Sequence, residues 1–225
     1  TPQERQHLDR AQPVDPQAYD AYLKGRFFAN KRTEHGLRRA VEYFQEAIRI
    51  DPGYAPAHSG LADSWALLGS NGIDALPPRQ AMPLAKSAAQ RALAIDPSLG
   101  EAHASLAYVL LSYDWDLPAA QKEFQRAIQL NPGYATAHHW YSHHCLAAGR
   151  LDQACAEMGR AASLDPLSLV INVGLGWCYY YSGRNKQAIE QYRKTLELDP
   201  GFALAHQTLG MALTENGSHQ EAIAA

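Results

Sequence analysis

Residues 183–217 read GRNKQAIEQYRKTLELDPGFALAHQTLGMALTENG: the stretch opens on Gly183, breaks at Asp199-Pro200 and reaches glycine again at Gly217. Two apolar trios lie between these breaks: Ala188, Tyr192 and Thr195, then Ala205, Leu209 and Ala212. Steps of four and three place each trio on one face of a helix. Glycine offers the left-handed stop that ends a helix, and proline cannot continue one. The stretch therefore predicts a helical hairpin that repeats its own beginning.

Moving outward, the acidic-or-amide plus proline pair recurs as Asp51-Pro52, Asp96-Pro97, Asn131-Pro132, Asp165-Pro166 and Asp199-Pro200, at spacings of 45, 35, 34 and 34 residues. Aligning on these prolines brings the rest into register. Twelve residues before them stand Ala40, Ala85, Ala120, Ala154 and Ala188. Eight before stand Phe44, Ala89, Phe124, Met158 and Tyr192, and five before stand Ala47, Ala92, Ala127, Ala161 and Thr195. Nine after come Leu61, Leu106, Tyr141, Leu175 and Leu209, each followed by a small residue. Glycine appears seventeen after in four of five units, with Asp114 the exception. Small residues let helix backbones approach, and bulky ones fill the space between. One hairpin cannot bury its apolar side alone, so stacked neighbours must.

These positions resemble the tetratricopeptide repeat, a 34-residue unit with a small–aromatic–small–proline signature in its second helix. The resemblance spans residues 18–225, with units at about 18–52, 53–97, 98–132, 133–166, 167–200 and a shortened 201–225, after an N-terminal segment over 1–17. It implies an all-α, right-handed superhelical solenoid whose first helices line a concave groove for a peptide or partner protein. The segment 1–32, especially residues 18–26, is also similar to the entry of the repeat region in multidomain bacterial signalling and transcriptional regulators. There such regions follow a winged-helix, kinase or cyclase-type module.

Helices are expected near residues 16–30, 33–50, 54–69, 78–95, 99–113, 117–130, 134–148, 151–164, 168–182, 185–198, 202–216 and 218–225, plus a short one over 2–10. Asp15 and Thr33 are candidate caps. About eleven extra residues fall around 70–80, where Asn71-Gly72 and Pro77-Pro78 predict an irregular loop without a compensating apolar pattern, the most mobile of the internal connections. The last unit stops before its second small residue and proline, so the face of Leu209, Leu213 and Ile223 is expected to lack neighbours. That predicts self-association through this end and a fragment of a longer protein.

The charges nearly balance, 20 basic against 23 acidic. This gives no overall field toward nucleic acid or an anionic membrane, and neither is an expected partner. Residues 1–50 carry nine basic and seven acidic side chains, leaving eleven and sixteen for the rest. The basic run Lys24, Arg26, Lys31, Arg32, Arg38, Arg39 reads as a solvated helix face. Cys145, Cys155 and Cys178 form no C-x-x-C pair, which argues against a disulfide framework or a structural zinc site and leaves the compartment open between cytoplasm and periplasm. No apolar run reaches the length of a membrane span.

Chemistry-bearing patterns are sparse. His58, His103, His138 and His206 share one repeat position, six after each proline, so packing is their expected role. His139 and His143 are four apart on one helix, which supplies two ligands where a stable zinc site needs three or four. No phosphate-cradling glycine loop or G-x-S-x-G elbow is present, so neither catalysis nor a cofactor is expected. If the family's geometry holds, positions seven, eleven and fourteen after each proline face the groove. These are Ser59, Asp63, Ala66; Ala104, Tyr108, Leu111; His139, His143, Leu146; Val173, Trp177, Tyr180; and Gln207, Met211, Thr214, with Tyr181 and Glu215 at the edge. Aromatic side chains there would be good anchors; the alternative is that Trp177 and Tyr180 pack within the stack. The wall lacks the clustered Lys, Arg and Asn of the carboxylate-clamp repeats, so a neutral, aromatic-rich or weakly basic peptide fits better. The competing reading is a structural spacer or oligomerisation element.

Overall fold

A computed structural model of the chain describes residues 14–70, 73 and 75–224. Among the described residues there are twelve helices and no strand. They are α1 (Pro16–Ala29), α2 (Glu34–Ile50), α3 (Ala55–Leu68), α4 (Pro78–Ile95), α5 (Gly100–Ser112), α6 (Leu117–Leu130), α7 (Ala135–Ala147), α8 (Leu151–Leu164), α9 (Leu169–Tyr181), α10 (Asn185–Leu198), α11 (Ala203–Glu215) and α12 (His219–Ala224). Each lies within one residue of its expected ends; the helix expected over 2–10 lies outside the described residues.

The chain divides into two compact units, one ending at Leu130 and the other beginning at Asn131. In the first, the hairpins α1/α2, α3/α4 and α5/α6 pack in succession, and the first helices α1, α3 and α5 also touch one another in sequence. In the second, α7/α8, α9/α10 and α11/α12 form the hairpins, with α9 packed on α8 and α11 packed on both α9 and α10.

The breaks between hairpins have a common construction. Asp51, Asp96 and Asp199 each donate a backbone N–H to the carbonyl four residues earlier, closing the preceding helix. The following proline holds them extended. Their side chains then accept from the backbone N–H two residues on, at 3.0 Å for Gly53, 2.9 Å for Ser98 and 2.9 Å for Gly201. Asn131 makes the same turn with Gly133 at 3.2 Å. Asp15 and Thr33 cap α1 and α2 through Gln17 and Gly36, as their positions predict.

The bulky repeat position sits where the small ones leave room. Phe44 is fully buried, and a Cβ on Gly25 would fall 2.6 Å from its ring. Met158 is seated likewise against Gly174, and Tyr192 against Gly176.

Two expectations change. Described residues of the insertion are anchored by apolar packing: Ile73, Ala75 and Leu76 lie against Leu37, Val41 and Leu68. Leu76 also donates its N–H to the Leu68 carbonyl at 3.0 Å. The supposed open face of the last unit is largely closed as well. Leu209 and Leu213 are buried in a cluster with Ala188, Ile189 and Tyr192, against which Ala222 of α12 packs, while Ile223 is 88% exposed. Side chains of α10, with Ala222 of α12, already pack against the two leucines.

Candidate partner-binding faces

In the first unit the expected groove positions are mostly closed. Ser59, Ala66, Ala104 and Leu111 are buried. Asp63 on α3 is half-buried, and its carboxylate lies 2.5 Å from the Ser105 hydroxyl of α5. It is thus engaged by the neighbouring first helix. Tyr108 packs with Trp65 against the Ala66–Met82–Val109 cluster; burial raises its hydroxyl pKa, against the opposing influence of Arg32 and a bond to Ser70. The reason for this closure is geometric. Alanine and serine at these positions let one first helix lie directly on the next.

The second unit differs. On α7, His139 is buried, His143 is half-buried, and their rings meet edge to face at 4.8 Å between centroids. Burial depresses the His143 pKa to about 4. Among the described residues no group of three or more His, Cys, Asp or Glu could hold a metal ion. On α9, Val173 is buried; Trp177 and Tyr180 are half-buried and pack against the Ile189–Tyr192–Leu209 cluster. Tyr181 is 60% exposed, its ring set edge to face with Tyr180 at 5.5 Å. Gln207, Met211, Thr214 and Glu215 are exposed along α11, with Met211 at 48%. The structure therefore divides the sequence-derived set. His139 and Val173 serve the interior; Trp177 and Tyr180 do so in part; Tyr181, Gln207 and Met211 are open to solvent.

The recurrent histidines do more than pack. The Nε2–H groups of His58, His103, His138 and His206 donate to the carbonyls of Pro52, Pro97, Pro132 and Pro200 at 3.1, 3.0, 3.1 and 2.8 Å. Asn172, which replaces histidine in the fifth unit, donates from Nδ2 to Pro166 O at 2.8 Å. The far side of the group reaches the second helix: His103 Nδ1 pairs with Glu123 at 2.5 Å and His138 Nδ1 with Glu157 at 2.7 Å, while Gln191 donates to Asn172 Oδ1 at 2.8 Å. The fixed six-residue offset was the available signal; what it concealed was a hydrogen-bonding bridge from turn to helix.

The N-terminal basic run is satisfied within itself. Arg38 pairs with Glu34, Arg39 with Glu42 and Lys24 with Asp20, all on exposed helix surface. Lys31 stands over the rings of Phe27 and Phe28 at 4.7 and 5.1 Å. Arg39 covers Tyr43 at 5.1 Å, and Tyr43 stacks on Phe28. No described helix is long and apolar enough to cross a membrane.

Residues 116–168 match the family model described as Tetratricopeptide repeat, and residues 176–217 match one described as TPR repeat. Among curated proteins, the chain is 23% identical over 202 residues to the transcriptional regulator HilA of Salmonella typhimurium, an alignment covering 88% of this chain and 36% of that protein. A small glutamine-rich tetratricopeptide repeat-containing protein of Mycosarcoma maydis is 28% identical over 46% of this chain and 31% of its own length. The chain thus spans about a third of the length of the curated relatives it matches. Among solved structures, the thermophilic TPR protein TTC0263 of Thermus thermophilus shares the fold with a TM-score of 0.69 at 21% identity, covering 88% of this chain and 99% of that one. Human IFIT1, solved as a dimer with PPP-AAAA, does so with a TM-score of 0.70 at 21% identity, covering 84% of this chain and 44% of its own.

Proposed function

We propose, from the premise that this chain is a tetratricopeptide-repeat protein, that it is a non-catalytic scaffold whose second unit holds a peptide or protein segment along α9 and α11. The observation that carries this reading is the exposure of Tyr181 and Met211 on neighbouring first helices, beside the half-buried Trp177 and Tyr180. Large apolar side chains left open to water on neighbouring helices favour a partner, and aromatic ones give contact area at little entropic cost. Gln207 and Thr214 add hydrogen-bonding capacity, and Glu215 at the edge favours a neutral or weakly basic ligand over an acidic one.

Peptide display selected against the intact chain tests this. Affinity for the selected peptides should fall at least tenfold in Tyr181→Ala/Met211→Ala, since truncating a central anchor costs on the order of 1–2 kcal/mol. Both side chains are exposed, so the fold should survive. Unchanged affinity in that variant would remove the groove reading. Trp177→Ala is a poorer test because the indole is also part of the core.

The second reading, a spacer within a multidomain bacterial regulator, is favoured by the alignment of nearly the whole chain with part of HilA. Under it, the double variant would leave the parent's activity intact, whereas inserting or removing one complete hairpin would not.

A further inference from the structure

Three thiols lie within the second unit, and two of them are neighbours. Cys155 on α8 is half-buried, whereas Cys178 on α9 is 1% exposed within the cluster formed with Met158 and Ile171; Cys155 packs against that cluster. Cys155 and Cys178 thus meet in one apolar cluster where α8 packs on α9. Ser182 fixes the arrangement: its hydroxyl donates to the Cys178 carbonyl at 2.7 Å and stands 3.7 Å from Cys155 Sγ. Cys145, on α7, is fully buried.

Buried cysteines usually serve as small, inert hydrophobes. The repeat itself argues that more is present here. At the position of Cys155, eleven before the proline, the other units carry Val41, Lys86, Gln121 and Ile189; at that of Cys178, twelve after it, they carry Ser64, Val109, His144 and Ala212. Neither position calls for sulfur, yet cysteine occupies both members of one facing pair. The pair is also graded in access, with Cys155 half-buried and Cys178 1% exposed. Burial pushes the Cys178 thiol pKa up, so Cys178 is not the sulfur that peroxide meets first.

We propose that Cys155 and Cys178 are a dithiol site that hydrogen peroxide converts to a disulfide, tying α8 to α9 across two consecutive hairpins. In the first step the Cys155 thiol gives up its proton and its sulfur attacks the peroxide O–O bond, becoming a sulfenic acid; the displaced hydroxide takes up that proton and leaves as water. In the second, the Cys178 sulfur displaces the sulfenic oxygen, and its thiol proton leaves with that oxygen as water. Two thiols and one peroxide give one disulfide and two waters, with two electrons passing to peroxide. The bond would fix the angle between a second helix and the following first helix, the junction that sets how α9 presents Trp177 and Tyr181. The site does not depend on the groove reading.

The intact chain provides the assay, because trypsin places the cysteines in three peptides: Cys145 in 127–150, Cys155 in 151–160 and Cys178 in 161–184. After peroxide treatment and alkylation of remaining thiols, non-reducing digestion should yield 151–160 joined to 161–184, with Cys145 alkylated. The protein should remain monomeric on a non-reducing gel, keep its helical circular dichroism and show a higher Tm than the reduced form. Cys155→Ser should abolish the cross-link; Cys145→Ser should leave it. Joining through Cys145, cross-linked dimers, helix loss on cross-linking, or Cys155 oxidised to sulfinate beside an alkylated Cys178 would each overturn the proposal.

Discussion

The ring of Phe44 occupies the space in which Gly60 would carry a Cβ: an added carbon there would fall inside the ring's van der Waals envelope. Phe44 comes from the second helix of the first hairpin and Gly60 from the first helix of the next, so this contact sets the distance between two consecutive hairpins.

Gly60→Ala should therefore destabilise the protein by about 1–3 kcal/mol through overpacking, read as a lower urea midpoint. Gly159 supplies the control. It lies inside α8 with nothing within 4 Å of a Cβ, so Gly159→Ala should stabilise by roughly 0.5–1 kcal/mol through helix propensity. Equal effects at both sites would mean that the packing account of the glycines is wrong.

This contrast shows why the helices were legible in the sequence. Alanine, a bulky residue and proline recur because each answers a local or nearest-neighbour demand, and a period exposes such demands. Partner faces carry no period. Ser59, Asp63 and Ala66 share repeat positions with Val173, Trp177 and Tyr180, yet only Asp63 of the first set keeps partial access, where both Trp177 and Tyr180 of the second do. Which wall stays open depends on side-chain size in the adjacent unit. The loop anchor was hidden for a related reason: Ile73, Ala75 and Leu76 follow no helical spacing, although they reach the core.

The His138 bridge joins three pieces of chain: the turn at Pro132, helix α7 and Glu157 on α8. His138→Ala leaves a turn carbonyl and a carboxylate without their partner, and should cost about 1–3 kcal/mol. Asn172 donates to its turn carbonyl as the histidines do, so His138→Asn should recover the turn bond, and with it part of that loss, but not the pairing with Glu157. Thermal or urea unfolding of the two variants decides; identical losses would reduce the histidine to a space-filler.

Acid should weaken the second unit through His143. Its folded pKa, about 4, lies below the ordinary value of 6.5 because burial disfavours the charged ring. Above pH 6.5 both folded and unfolded states hold it neutral. As pH falls from 6.5 towards 4, only the unfolded chain takes up the proton, so stability declines across that window and levels below it. One proton sets a ceiling of about 1.4 kcal/mol per pH unit, reduced in so far as the half-buried ring retains water. His58, also depressed chiefly by burial, acts in the same direction. Urea midpoints between pH 7.5 and 5 should fall less steeply in His143→Gln than in the parent; parallel curves would assign the acid sensitivity elsewhere.

The turn within each hairpin makes the final case. Two residues before the second helix, Gly149, Gly183 and Gly217 adopt φ of +73°, +71° and +80°. Trp115 stands in the same slot before α6 at +58°, with its side chain 77% exposed. A left-handed backbone costs an L-residue roughly 1–2 kcal/mol that glycine does not incur, and an indole so exposed regains little by packing. The slot is held from both sides: Asp114 is ion-paired with Lys86 at 2.6 Å, and the Asp116 carboxylate accepts from Ala119 N at 3.0 Å. The backbone therefore keeps its geometry whatever residue occupies the slot. Trp115→Gly should then be more stable than Trp115→Ala by about 1 kcal/mol, the reverse of the order in ordinary helix or strand, and Gly183→Ala should lose a similar amount. If Trp115→Ala proves the more stable of the two, the tryptophan is not paying a backbone penalty, and the turn before α6 is shaped by something other than the left-handed slot of its sister units.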